Sequence, residues 1–152
     1  MSIPIKIEWI YIGSAVFLAL MVLNSLSSRV RTRQVRRYAL NAGFAYLNDT
    51  LVSDFPLRQC SFYSSWNWNA TISDAVTGKT QDKEILFFDW TVDSGESRSS
   101  QTVLAIRGAD RTQWVTRLDL TLVTEHVDDW ILFYRPNTQL GVAEIDALIS
   151  SA

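Results

Sequence analysis

Trp9 to Leu26 reads WIYIGSAVFLALMVLNSL, eighteen residues without a charge, and Arg29 opens a cluster of five arginines just beyond it. At ~1.5 Å rise per residue such a run spans about 27 Å, close to the hydrocarbon thickness of a bilayer. Trp9 and Tyr11 stand at one end, where amphipathic rings favour the headgroup zone. A cleavable signal peptide carries its positive charge before the apolar run and a small-residue cleavage site after it. Here only Lys6 precedes, and the arginines follow. The pattern therefore predicts a retained transmembrane anchor over residues 1–27 rather than a buried core helix. Because positive flanks stay in the cytoplasm, the N-terminus is expected outside and the rest of the chain inside. A single cysteine, Cys60, suits a reducing compartment. Gly13, Ala15 and Ala19 form a small-residue patch, and Ala15/Ala19 has the small-xxx-small spacing that lets membrane helices approach closely.

Charge divides the chain further. Residues 28–37 hold five arginines and no acid, whereas residues 38–152 hold 8 basic and 15 acidic side chains. The acidic body, in a chain whose sequence pI is about 5.3 as a whole, argues against nucleic acid as a partner. Ser28 to Ala42 has helical texture and stops at Gly43, the residue type favoured just past a helix end. Wound at 100° per residue, Arg29, Arg33, Arg36 and Arg37 fall in one arc, with Val35, Tyr38, Ala39 and Ala42 opposite; Arg31 breaks the pattern. Residues 28–43 thus read as a basic juxtamembrane helix, its arginines Arg29, Arg31, Arg33, Arg36 and Arg37 facing anionic lipid at ~1 kcal/mol each. Fixing topology is a sufficient role for them on its own.

Residues 44–152 read as an α+β domain. Strand texture is expected at 44–47, at Trp68-Asn69-Ala70-Thr71-Ile72-Ser73 by period-two alternation, at 85–92, 102–107, 114–123 and 130–134. Turns are expected at Thr77–Thr80, across the polar loop 94–100, and at 124–129. Residues 48–60 read as a connector, with Pro56 opposing regular structure. Val142, Ile145, Leu148 and Ile149 share one face of a closing helix. Short links imply antiparallel pairing, so the expectation is one sheet of five or six strands with two helices on one face.

Chemical signatures are sparse. His126 is the sole histidine, so any Ser-His-Asp or Cys-His arrangement must use it, with Cys60 as the thiol. Glu125, His126, Asp128 and Asp129 offer metal-ligand atoms without the paired spacing of zinc sites. Asp89 and Asp93 flank Trp90 and read as strand-end and turn residues before they read as an acid–base pair. No phosphate-cradling glycine loop, dinucleotide fingerprint or HExxH is present, so no cofactor and no catalytic residue is assigned. Trp66 and Trp68 share a side of one strand. If that side is not the core, they form an exposed interaction patch.

Four segments together carry a resemblance: Arg37-Tyr38 with Gly43-Phe44-Ala45-Tyr46 after a membrane span; Gly78-Lys79 followed by Glu84-Ile85-Leu86-Phe87-Phe88-Asp89; Gln101 to Gly108; and Trp130-Ile131-Leu132-Phe133-Tyr134-Arg135-Pro136 before a short helix. From about Arg37 onward the chain resembles a loose group of small single-pass bacterial membrane-anchored proteins, found in Acidobacteria among others, to which no activity is attached. The resemblance implies a bacterial inner-membrane setting and a compact domain after the anchor. Two functions are expected from these features. One is a non-catalytic accessory or scaffold subunit whose partners are the lipid bilayer and other integral-membrane subunits. The other is a membrane-anchored ligand-binding or sensory domain with an aromatic pocket beside Asp89, Trp90 and the 94–100 loop.

Overall fold

The computed structural model describes residues 7–63, 69–80, 82–108 and 121–151. Helix α1 runs over Ile7–Ala42 without a break at the boundary expected between anchor and basic helix. Contact density divides the chain into two compact units, Met1–Gln34 and Val35–Ala152. In the first unit one helix is long and apolar enough to cross a membrane, by length and composition. Its described side chains from Tyr11 to Val30 are all exposed, including Phe17, Leu18, Leu20 and Leu23.

The second unit contains residues 35–42 of α1, a six-stranded sheet and the closing helix α2 (Val142–Ser151). The strands are β1 (Ala45–Asn48), β2 (Ala70–Thr80), β3 (Lys83–Asp93), β4 (Arg98–Arg107), β5 (Val123–Val127) and β6 (Trp130–Tyr134). Their spatial order is β1-β2-β3-β4-β6-β5, and every pairing is antiparallel. This is the α+β class that short connections demand.

Alternation along the strands separates two cores. On one face Val76, Ile85, Phe87, Leu104, Ile106, Ile131 and Phe133 pack with Val35 and Ala39 of α1 and with Ile145, Leu148 and Ile149 of α2. Helical periodicity explains that face: Val35 and Ala39 are one turn apart, as are Ile145 and Ile149. Tyr38 joins them edge-on to Phe44, with ring centroids 6.1 Å apart, and its hydroxyl donates to Asp146 of α2 at 3.1 Å. On the other face Leu86, Phe88, Trp90, Val103, Ala105, Trp130 and Leu132 are covered by the connector, through Phe55 and Cys60 with Leu51, Val52, Leu57 and Phe62. Central strands buried on both sides explain why β3 reads as an almost continuous apolar run.

Several local expectations give way. Thr77–Thr80 is strand, not turn. Gly78 is tolerated there because the Phe44 ring lies where its side chain would be; an aromatic covering a strand glycine supplies the packing the glycine lacks. The 94–100 loop shrinks to 94–97, since Ser99 and Ser100 pair with Val92 and Thr91. His126 lies within β5, and the turn after it is Asp128-Asp129, with Asp128 at φ 52. Asp89 is mid-strand and 1% exposed rather than at a strand end. The strand expected over 114–123 lies mostly outside the described residues, whose fifth strand starts at Val123. Pro56 precedes a 3-10 turn at Leu57–Gln59 inside the connector.

Candidate functional site

The apolar stretch of α1, long enough to cross a membrane, is the first candidate site. Gly13, Ala15 and Ala19 are exposed, and a Cβ on Gly13 would meet nothing within 4 Å among the described residues. At 100° per residue only Ala15 and Ala19 share a face of the helix, and Gly13 lies on the other side, near Phe17, so the expected three-residue patch reduces to that pair. Arg29, Arg33, Arg36 and Arg37 are exposed as the helical wheel requires, and Arg31 is half-buried with an interaction of its own. Arg36 makes a contact within the fold. Its guanidinium lies 4.7 Å from the centroid of the Tyr46 ring on β1, and the Tyr46 hydroxyl donates to Asp74 at 2.7 Å. Burial, then the bond to Asp74, push the Tyr46 hydroxyl above its ordinary range, while Arg36 pulls it back. Ala42, placed opposite the arginines by periodicity, is exposed rather than packed. Trp66 and Trp68, the expected interaction patch, lie outside the described residues.

In the body, polar groups tie the connector to the sheet. Ser61 donates from its backbone N–H and from its hydroxyl to the two oxygens of Glu125, each at 2.6 Å, and its hydroxyl meets that of Tyr134 at 2.7 Å. Burial raises the Tyr134 hydroxyl against the opposing pull of Ser61. Gln59 donates to Asp128 at 3.2 Å. Asp54 pairs with Arg107, which also meets Glu84 at 3.0 Å and stacks 4.4 Å from the Trp130 ring centroid. The Arg107 bond holds the Asp54 carboxyl below the usual range. Glu125 and Asp128 are thus engaged with the connector, and no group of three or more metal-ligating side chains occurs among the described residues.

Cys60 and His126 are not brought together. Cys60 packs in the connector-covered core, its thiol donating to Pro56 O at 3.6 Å. His126 is exposed, and its neighbours Glu125 and Val127 point to the connector side, so the imidazole faces the other way. Burial pushes the Cys60 thiol up to about 12, with Glu125 adding to it. Such a thiol is a core group rather than a nucleophile. Asp89 accepts from Thr102 at 2.5 Å and from Gln139 at 3.0 Å, and Thr102 in turn accepts from Leu140 N at 3.0 Å. This buried relay moors the segment leading into α2. Asp93 accepts from Gly95 N at 2.9 Å, the turn role expected of it. Asp89, Thr102 and Gln139 were legible only as separate polar residues; nothing in their spacing announces the relay.

Beside the 94–97 turn lies an open cleft of about 640 Å³ lined by Asn69, Ala70, Thr71, Thr91, Asp93, Gly95 and Arg98. Its lining mixes polar and apolar surface and holds no aromatic ring among the described residues; Trp90 belongs to the opposite face, against Phe62 and Tyr63. Compared with known protein families, with curated proteins and with solved structures, the chain matches none.

Proposed function

We propose that this chain is a non-catalytic accessory or scaffold subunit of a bacterial inner-membrane protein complex, with its N-terminus outside and its C-terminal domain in the cytoplasm. One observation carries the reading. Of thirteen large apolar side chains exposed among the described residues, eleven lie between Tyr11 and Val30. Exposed apolar surface on that scale marks contact with lipid or with another protein, and here it belongs to the anchor. Among the described residues, the second unit offers only Leu40 and Val123. Both faces of its sheet are covered by the chain itself. The arginine collar supports the orientation, and the Ala15/Ala19 pair supports helix-to-helix contact within the bilayer. The alternative, a membrane-anchored ligand-binding or sensory domain, looks to an aromatic pocket beside Asp89, Trp90 and the 94–100 loop, where the cleft holds no aromatic ring among the described residues; the subunit reading therefore stands first.

The test is extraction from native membranes in a mild detergent, followed by sizing and mass spectrometry of what co-migrates. A defined complex containing at least one other integral-membrane protein is the expected result. Migration as a micelle-sized species of this chain alone would overturn the proposal.

A further inference from the structure

The sheet face that packs on α1 and α2 is apolar along β3 and β4 as far as Phe87 and Leu104, which oppose each other across the two strands. Beyond them the pleat brings only polar residues to that side. The opposed pairs are Asp89 with Thr102, then Thr91 with Ser100, then Asp93 with Arg98. The first two pairs bond internally: Thr102 donates to Asp89, and the hydroxyls of Thr91 and Ser100 meet at 2.7 Å. The third pair does not. Asp93 and Arg98 carry opposite charges in directly opposed, exposed positions, yet make no ion pair with each other. One Asp93 oxygen accepts from Gly95 N at 2.9 Å. Its other oxygen and the Arg98 guanidinium have no partner among the described residues.

Both side chains line the open cleft of about 640 Å³ beside the 94–97 turn, and they are its charged groups among the described residues. The cleft therefore has room for a small molecule. Directly opposed residues hold their Cβ atoms ~4.5–5.5 Å apart, so one such molecule reaches both. A wall with one charge of each sign is complementary to a ligand with one charge of each sign. A carboxylate alone would meet Arg98 but also face Asp93, and an amine alone would meet Asp93 but also face Arg98. The guanidinium fork matches a carboxylate, and the free Asp93 oxygen accepts from an ammonium. The closeness of the two positions calls for ligand charges that are themselves close, as on a single carbon. We propose that Asp93 and Arg98 form a binding site for a free α-amino acid, its carboxylate on Arg98 and its ammonium on Asp93, with the hydroxyls of Thr71 and Thr91 lining the same cleft. The site uses no contact of the membrane helix, so it stands or falls apart from the subunit reading.

The test uses the full chain in detergent micelles, with arginine labelled at its side-chain nitrogens and the Arg98 Nε–H signal assigned by its loss in Arg98→Gln. Three probes are titrated: L-alanine, propionate, which is alanine without its amine, and ethylamine, which is alanine without its carboxylate. L-Alanine is expected to move the Arg98 signal saturably and to bind at least ~10-fold more tightly than either fragment, because each fragment forfeits one charge-assisted hydrogen bond. Asp93→Asn removes the charge but keeps an oxygen that can accept from Gly95 N. In that variant alanine is expected to fall to the level of propionate. Absence of a saturable shift with alanine would overturn the proposal. Equal binding of alanine and propionate by the unaltered chain would do so too, since Arg98 would then be a solvated charge that attracts any carboxylate. So would a preference for alanine that survives in Asp93→Asn.

Discussion

Phe55→Ala probes the least anticipated feature of the fold, a connector that acts as a layer of core. Phe55 is 8% exposed, and its ring meets Phe88 and Trp130 edge-on, each with centroids 5.5 Å apart. Truncating a buried phenylalanine costs about 3–5 kcal/mol. Phe55 lies in a covering segment that can partly collapse onto the gap, so about 3 kcal/mol is the expected loss. With a urea dependence of about 1–2 kcal/mol/M, the unfolding midpoint should fall by about 2 M. The assay is urea unfolding of the full chain in micelles, followed by near-ultraviolet circular dichroism, which reads the packing of the tryptophans. Leu40→Ala serves as the control: Leu40 is 80% exposed, and its change should stay within about 0.5 kcal/mol. A midpoint shift below about 0.5 M for Phe55→Ala would show that residues 49–63 are a peripheral loop. The two-core description would then fail.

Gly78→Ala puts a methyl group into the space of the Phe44 ring. It should cost about 1–3 kcal/mol, and Phe44→Leu in the same chain should recover part of that loss in a double-mutant cycle. Cys60, with its thiol pushed up to about 12 by burial, should react with iodoacetamide at pH 8 about a thousandfold more slowly than a free thiol; an ordinary rate would contradict its burial. The same shift has a pH consequence. Above the ordinary thiol range the folded chain holds a proton that the unfolded chain has lost. Stability from this group therefore declines as pH rises from about 8.5 toward 12, readable as a falling thermal midpoint. Ser94→Cys places a thiol in an exposed turn. A membrane-impermeant maleimide should label it only after lysis, and labelling in intact cells would reverse the assigned orientation.

Where a pattern is local, the sequence declares it. Helix α2 lies where Val142, Ile145, Leu148 and Ile149 place it, and β6 matches the run Trp130–Tyr134. The end of α1 at Ala42 follows from Gly43, which adopts φ 71. Misreadings arise where distant residues decide. Gly78 signals a turn until Phe44 covers it. The polar residues at 98–100 signal a loop until β3 pairs with them. His126 and the acids around it signal a turn, yet Glu125 is aimed at Ser61 from 64 residues away in sequence. Such pairings are set by tertiary register, which no window of neighbouring residues contains. The candidate sites follow the same division. The anchor and its arginines are contiguous and were legible. The Asp89–Thr102 hydrogen bond exists only because β3 and β4 pair in this register.

Contact between the apolar helix and another membrane protein is what separates a subunit from a solitary anchored domain. The direct measurement is photo-crosslinking in native membranes from Ala15, Ala19 and Phe17, each replaced in turn by a photoreactive residue. Ala15 and Ala19 lie on one side of the helix and Phe17 on the other at 100° per residue. An adduct of one discrete mass with an integral-membrane protein is expected from Ala15 and Ala19, and lipid adducts from Phe17. Lipid adducts alone from all three positions would contradict the subunit reading.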